Sequence, residues 1–368
     1  MLKILTIIFT TVILSACGGG GSSGSSNTGG QTTTTPTTPT TTTDQWLIPT
    51  DFVLDGGPGK DGIPSLDYPT MVSRALAEAF LSDNDMVVGI KRGSDIRAYP
   101  HKILNWHEVV NDKVDNQYLV FSYCPLTGSS LVWDVADTSS DRTFGVSGLL
   151  YNSNLILYDR QTDSMWAQML SKSVRGERST ELSHNSHVIE TTWAHWKAMY
   201  PQTQVLSDNT GISRDYDAYP YGSYLTNQTL LFSIEKPDAR LHPKSRVVGI
   251  KSGNTSKVYP IDALGSALMV INDTVATAKV VVIGSAASRM GVAYSRALAD
   301  GTELTFSALP DQLPVVMEDQ EGNVWNIHGE AVSGLRMGQT LPMLESYTAF
   351  WFAWATMFQD PLIYQPSL

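Results

Sequence analysis

The stretch VVGIKRGSDIRAYPHKIL at 87–104 returns at 247–264 as VVGIKSGNTSKVYPIDAL, identical at nine of eighteen positions without a gap. Each copy is followed by a Val-x-Asn-Asp, at 109–112 and again at 270–273. Further on, Asp159 and Trp166 of YDRQTDSMW align with Asp319 and Trp325 of EDQEGNVW, and 191–206 aligns with 348–364. A duplication of this length requires one backbone plan used twice. Two copies are too few for a solenoid, so a pseudo-symmetric pair is expected: a first repeat at 45–208, a connector at 209–239 and a second, degenerate repeat at 240–368.

Within each copy the pattern is that of strands. MVVGIKRGSDIRAYP places β-branched runs on both sides of a glycine turn and reads as a hairpin. Gly89, Gly93, Tyr99 and Pro100 recur as Gly249, Gly253, Tyr259 and Pro260, so they belong to the scaffold and carry no chemistry. YLVFSYC is apolar on both faces, as a central strand must be. SSLVWDV, RTFGVSG, NLILYD and SMWAQM continue as short strands. HKILNW has room for one or two helical turns, and helices are expected at 70–81, 192–200 and 345–358. The expected class is β-rich α+β, each repeat a small barrel or a strongly twisted sheet with a few short helices.

Shared residues mark scaffold, so the unshared ones mark candidates for function. Asn105-Trp106-His107-Glu108 aligns with Ser266-Ala267-Leu268-Met269, and FSYCPLTGSSLVW aligns with VIGSAASRMGVAY. Cys124 thereby becomes Ser285, Thr127 becomes Ser288 and Gly128 becomes Arg289. His107, Glu108, Cys124 and Pro125 disappear together.

Cys124 leaves a strand just before Pro125, a residue suited to the first position of a helical turn. The free N–H groups of Leu126, Thr127 and Gly128 would then stabilise a thiolate. On that reading Cys124 is a nucleophile, His107 a base or orienter and Thr127 a thiolate stabiliser, with Asn105, Glu108, Tyr123, Pro125 and Gly128 in support. The chemistry would be peroxide reduction or thiol–disulfide exchange. Thiolate and imidazole also suit Cu(I), which makes Cys124 and His107 copper ligands in a second reading. A third is a non-catalytic surface binding module in which Cys124 is a buried small hydrophobe. Lesser candidates are His101, the pair His184 and His187 in HNSH, and Arg160 as an ion-pair partner of Asp159 or Asp163.

The N-terminus supplies an address. A short apolar run ends in Leu14-Ser15-Ala16-Cys17, which resembles a lipobox, so 1–16 reads as a signal peptide and Cys17 as the lipidation site. A Gly/Ser/Thr/Pro tether to residue 44 follows. The resemblance to bacterial lipoproteins implies the cell envelope and a lipid anchor, and Gly18 rather than Asp after the cysteine implies the outer membrane by the same resemblance. With 25 basic against 36 acidic residues the net charge is −11, which argues against nucleic acid as a partner. The membrane, through the lipid, is the expected partner, together with a redox or copper partner protein. Lipidation of Cys17 leaves Cys124 with no intrachain disulfide partner.

The motifs KDGIPSLDYPTMVS, AYPHKILNWHEVVND, SYCPLTGSSLVWD, FGVSGLLYNSNLILYDRQTDSMWAQ and TTWAHW, in this order, resemble the bacterial domain-of-unknown-function family numbered 3179. The likeness is dense over 60–208 and looser beyond. That family commonly carries C-P-L-C, at times with selenocysteine, and in other members C-P-L-T. The resemblance aligns Cys124 with the first cysteine and Thr127 with the second, implying redox ancestry without a resolving thiol.

Overall fold

The computed structural model describes residues 44–135 and 142–366, and the strands follow the repeat almost residue for residue. In the first repeat β1 (Met86–Arg92) and β2 (Asp95–Pro100) make the hairpin, and α1 (His101–His107) follows. Next come β3 (Val109–Val114), β4 (Gln117–Cys124) and β5 (Ser129–Asp134), then β6 (Phe144–Tyr151) and β7 (Asn154–Asp159). Two short strands, Met165–Ala167 and Lys172–Arg175, precede β8 (Ile189–Thr192) and α2 (Trp193–Met199).

The second repeat follows the same order. Its hairpin is β9 (Arg246–Ser252) with β10 (Thr255–Pro260), and a 3-10 turn, Ile261–Leu264, replaces α1. It continues through β11 (Met269–Val275), β12 (Ala278–Ser285) and β13 (Met290–Ser295) to β14 (Glu345–Phe350) and α3 (Trp351–Met357). Val88 faces Tyr99 across the first hairpin, and Val248 faces Tyr259 across the second.

The recurring residues repeat their contacts. Tyr99 donates to Asp112 at 2.6 Å, and Tyr259 donates to Asp273 at 2.7 Å. The Trp166 indole reaches Asp159 at 3.0 Å, and the Trp325 indole reaches Asp319 at 2.9 Å. Asn111 brackets the backbone of Phe144 as Asn272 brackets that of Phe306. Gly89 and Gly249 have the same purpose: a Cβ there would stand 2.2 Å from the Trp196 ring and 2.3 Å from the Trp354 ring. These are buried polar pairs and close approaches that one backbone plan demands twice.

The sheets stay open, and none closes into a barrel. Each repeat has three. Those of the first are extended by strands the second does not have, Val53–Asp55, Leu66–Asp67, Met71–Ser73 and His184–Asn185. Two expected helices are shorter than their spans. At 70–81 the chain first pairs as a strand and then makes one turn, Arg74–Ala77. At 345–358 residues Glu345–Phe350 pair with β9, leaving only Trp351–Met357 helical.

The cores are shared crosswise. One packs Trp133, Phe144 and Trp166 of the first repeat against Phe350, Trp351 and Trp354 of the second. Another packs Ile189, Trp193 and Trp196 against Tyr294, Phe306 and Trp325. Helix starts reinforce the exchange, since Phe350 donates its N–H to the Thr127 carbonyl at 2.7 Å and Thr192 donates to that of Ser288 at 3.2 Å. The described residues from 44 onward accordingly form one compact unit.

Candidate functional site

The Cys-Pro segment is a hairpin turn, not the start of a helix. Cys124 pairs with Ser129 across β4 and β5, and Thr127 donates its N–H to the Cys124 carbonyl at 3.2 Å. Pro125 sets the φ that the turn needs, and Gly128 closes it at φ +57, with the Phe350 ring 2.7 Å from where a Cβ would stand. No helical dipole therefore acts on the sulfur. Cys124 is 1 % exposed, its Sγ lies 3.7 Å from the Ser153 carbonyl, and burial pushes the thiol up to about 11. Repulsion from Glu108 adds to this, while the Thr127 hydroxyl and N–H oppose it. The expectation of a lowered thiol pKa is thus reversed, because desolvation outweighs the hydrogen bonds from Thr127 and the Leu155 backbone.

Thr127 is held in a buried polar network. Its hydroxyl meets that of Ser129 at 2.9 Å and accepts from Asn154 at 3.0 Å. The Gln168 side chain joins Ser122, Ser129 and Asn154. In the second repeat Ile283, Met290 and Ile327 replace Ser122, Ser129 and Gln168, so the network is a property of the first repeat alone.

His107 is fully buried and committed elsewhere. Its Nδ1 donates to the Pro64 carbonyl at 2.7 Å, which fixes the tautomer, and its Nε2 accepts from the Tyr216 hydroxyl at 2.7 Å. Desolvation lowers its pKa, with Arg214 adding to that and the Pro64 bond opposing it. With both nitrogens occupied it serves neither as a base for Cys124 nor as a metal ligand beside it. Tyr123 turns to the opposite face of β4 and packs tilted against His101, with ring centroids 4.3 Å apart. His101 in turn lies 3.2 Å from the buried Glu190.

The remaining candidates separate. His184 is exposed, whereas His187 packs on Tyr294, so HNSH is not a chelating pair. Arg160 pairs with Asp67 at 2.9 Å rather than with Asp159 or Asp163. Among the described residues no three of His, Cys, Asp and Glu converge to hold a metal. Cys17 lies outside the described residues.

What the structure does assemble is a pocket of about 270 Å³ beside the Cys-Pro turn. Asn105, Trp106 and Glu108 from the end of α1 form one wall, and Leu126, Leu149 and Leu155 another. Residues Gly56 to Ile63 close one side, and Arg214, Tyr221 and Phe232 of the connector close the other. Both closing segments lie outside the duplicated elements. The corresponding surface of the second repeat, at Ser266 and Ala267, is open to solvent.

Glu108 is the acid of this pocket. It is 4 % exposed, caps α1 at φ +56 and accepts from the Tyr221 hydroxyl at 3.1 Å. Burial pushes its carboxyl up to about 7, opposed by the Tyr221 bond. A non-glycine residue at positive φ, buried in a cleft with a displaced pKa, has the character of a functional group. Asn105 Oδ1 in the same wall is buried with no hydrogen-bond partner.

The connector does more than join the repeats. Tyr219 donates to the Pro125 carbonyl at 3.3 Å and Tyr224 to that of Leu126 at 2.8 Å, so the phenols clamp the Cys-Pro turn. Lys244 pins the connector by donating to the carbonyls of Tyr224, Asn227 and Thr229. The one available signal is the run YDAYPYGSY, a density of tyrosine unusual in a linker.

Against known proteins, residues 60–361 match the family described as "Protein of unknown function (DUF3179)". No curated protein matches, and no solved structure matches.

Proposed function

The chain belongs to the DUF3179 family, and from that premise we propose that it is an envelope lipoprotein whose first repeat binds a small organic ligand in the Glu108 pocket. The observation that carries this reading is the pocket itself: an apolar chamber with few polar groups, closed by segments that only the first repeat receives. Thiol exchange would need an accessible thiolate, whereas Cys124 is sealed and protonated at neutral pH. A Cys124–His107 copper pair would have to break both hydrogen bonds of the imidazole. Binding is therefore favoured over redox chemistry and copper carriage. The anchoring rests on the lipobox-like LSAC at 14–17 and the tether behind it.

An uncharged apolar dye such as Nile red tests the pocket. Wild-type protein is expected to bind it saturably, and Leu149→Trp, which fills the chamber from a partly exposed wall position, is expected to abolish binding without lowering the Tm. Equal binding by both proteins would refute the assignment. Cys17→Ser is expected to release the protein from the membrane fraction; retention there would remove the anchor.

A further inference from the structure

This inference rests on the pocket being a binding site and specifies what it receives. The hydrogen-bonding groups of its wall are unevenly spent. Its aromatic donors are already used, the Tyr221 hydroxyl on Glu108 and the Trp106 indole on the Ala218 carbonyl at 3.1 Å. Its acceptors are not. Glu108 has one oxygen engaged by Tyr221, leaving the other, and Asn105 Oδ1 has no partner at all. Both residues line the pocket, Asn105 from the last turn of α1 and Glu108 from the cap that follows it.

We infer that the pocket receives a primary amine: an apolar body with an ammonium head held by the Glu108 carboxylate and the Asn105 amide oxygen. An ammonium brings three donors and no acceptor, the complement of the unengaged oxygens of Glu108 and Asn105. Charge-assisted bonds of this type are roughly twice as strong as neutral ones. The Tyr221 ring adds an aromatic face suited to a cation, while that of Trp106 already meets the Arg214 guanidinium at 5.7 Å. The charges facing Glu108 are few. Tyr221, Tyr219 and Cys124 surround the carboxyl, and Arg214 lines the pocket over the Trp106 ring, exposed so that solvent screens it. The second repeat, with Ser266 and Met269 in place of Asn105 and Glu108, has no equivalent receptor.

The probes are 2-phenylethylamine, 2-phenylethanol, ethylbenzene and 3-phenylpropionate, titrated calorimetrically into the full-length protein. The amine is expected to bind at least tenfold more tightly than the alcohol, and the acid most weakly. Glu108→Gln should remove the amine's advantage while leaving the alcohol and hydrocarbon within twofold; Asn105→Leu should weaken the amine selectively. A tie between amine and alcohol, a preference for the acid, or an equal loss of all probes in Glu108→Gln would overturn the head-group assignment. If the hydrocarbon binds and the amine gains nothing, only this inference falls. If no probe binds, the pocket reading falls with it.

Discussion

The first repeat buries a carboxyl at the mouth of β3, and the second, one strand-for-strand copy away, has a methionine in its place. Around that difference nearly everything else is held constant. The Tyr–Asp pair, the Trp–Asp pair, the glycine under a tryptophan and the asparagine bracket are present twice with matching distances. Even the turn conformation persists after its glycine is lost, for Arg289 holds φ +51 where Gly128 holds φ +57. The second repeat lacks the polar groups that the shared scaffold does not need, namely Glu108, His107, Cys124 and the Gln168 network. Positive φ also moved from the acid to a residue that tolerates it, Gly265 at φ +68. Burying polar groups costs free energy unless they are fully paired, so their retention in only one copy marks the place where they serve.

The largest effect should come from the part the copies share. Gly89→Ala and Gly249→Ala each drive a methyl into a fully buried tryptophan and are expected to cost about 3 kcal/mol or more, similarly in both repeats. Urea unfolding measures both, and a large inequality would break the equivalence of the two scaffolds.

Next is the acid that only one repeat keeps. The folded-state pKa of Glu108 is raised, so its protonated form is favoured by the fold. Its contribution is complete below pH 4.5 and is lost as pH rises through 7. Glu108→Gln should therefore gain on wild type by roughly 2–3 kcal/mol between pH 4.5 and pH 9, an order-of-magnitude figure from the displacement of the pKa. A constant difference between the two proteins across that range would mean that the carboxyl is not buried as described.

The smallest effect should fall on the sulfur. Cys124→Ser imports the residue of the second repeat and is expected to cost roughly 1 kcal/mol. In the folded wild type, iodoacetamide should react at pH 8 about a hundredfold more slowly than in urea, because the thiol is sealed and pushed up to about 11. Rapid alkylation of the folded protein would restore the nucleophile reading.

Much of this is legible in the residues, and the failures have physical causes. The duplication exposes the strand order and separates Glu108 and Cys124 from the scaffold. It does not say which of them faces a cavity. Cys-Pro suggests a helix start because proline suits that position, yet proline equally suits the second residue of a turn, and the pairing of Cys124 with Ser129 decides between them. The span expected for the terminal helix is too long because ESYTAF carries no local mark that separates it from the turn after it; only its partner β9 makes it a strand. The connector carries no periodicity, so nothing local tells that its tyrosines return to the Cys-Pro turn.

The crossing of the two hydrophobic interiors also bears on how such a gene can change. Because α3 supplies the ceiling over the Leu126 and Trp133 neighbourhood, truncation after the linker would strip the first repeat of its cover. The second copy can thus do without the polar groups of the first but cannot itself be discarded. It survives as a buttress, and its inheritance follows from tryptophans rather than from any chemistry of its own.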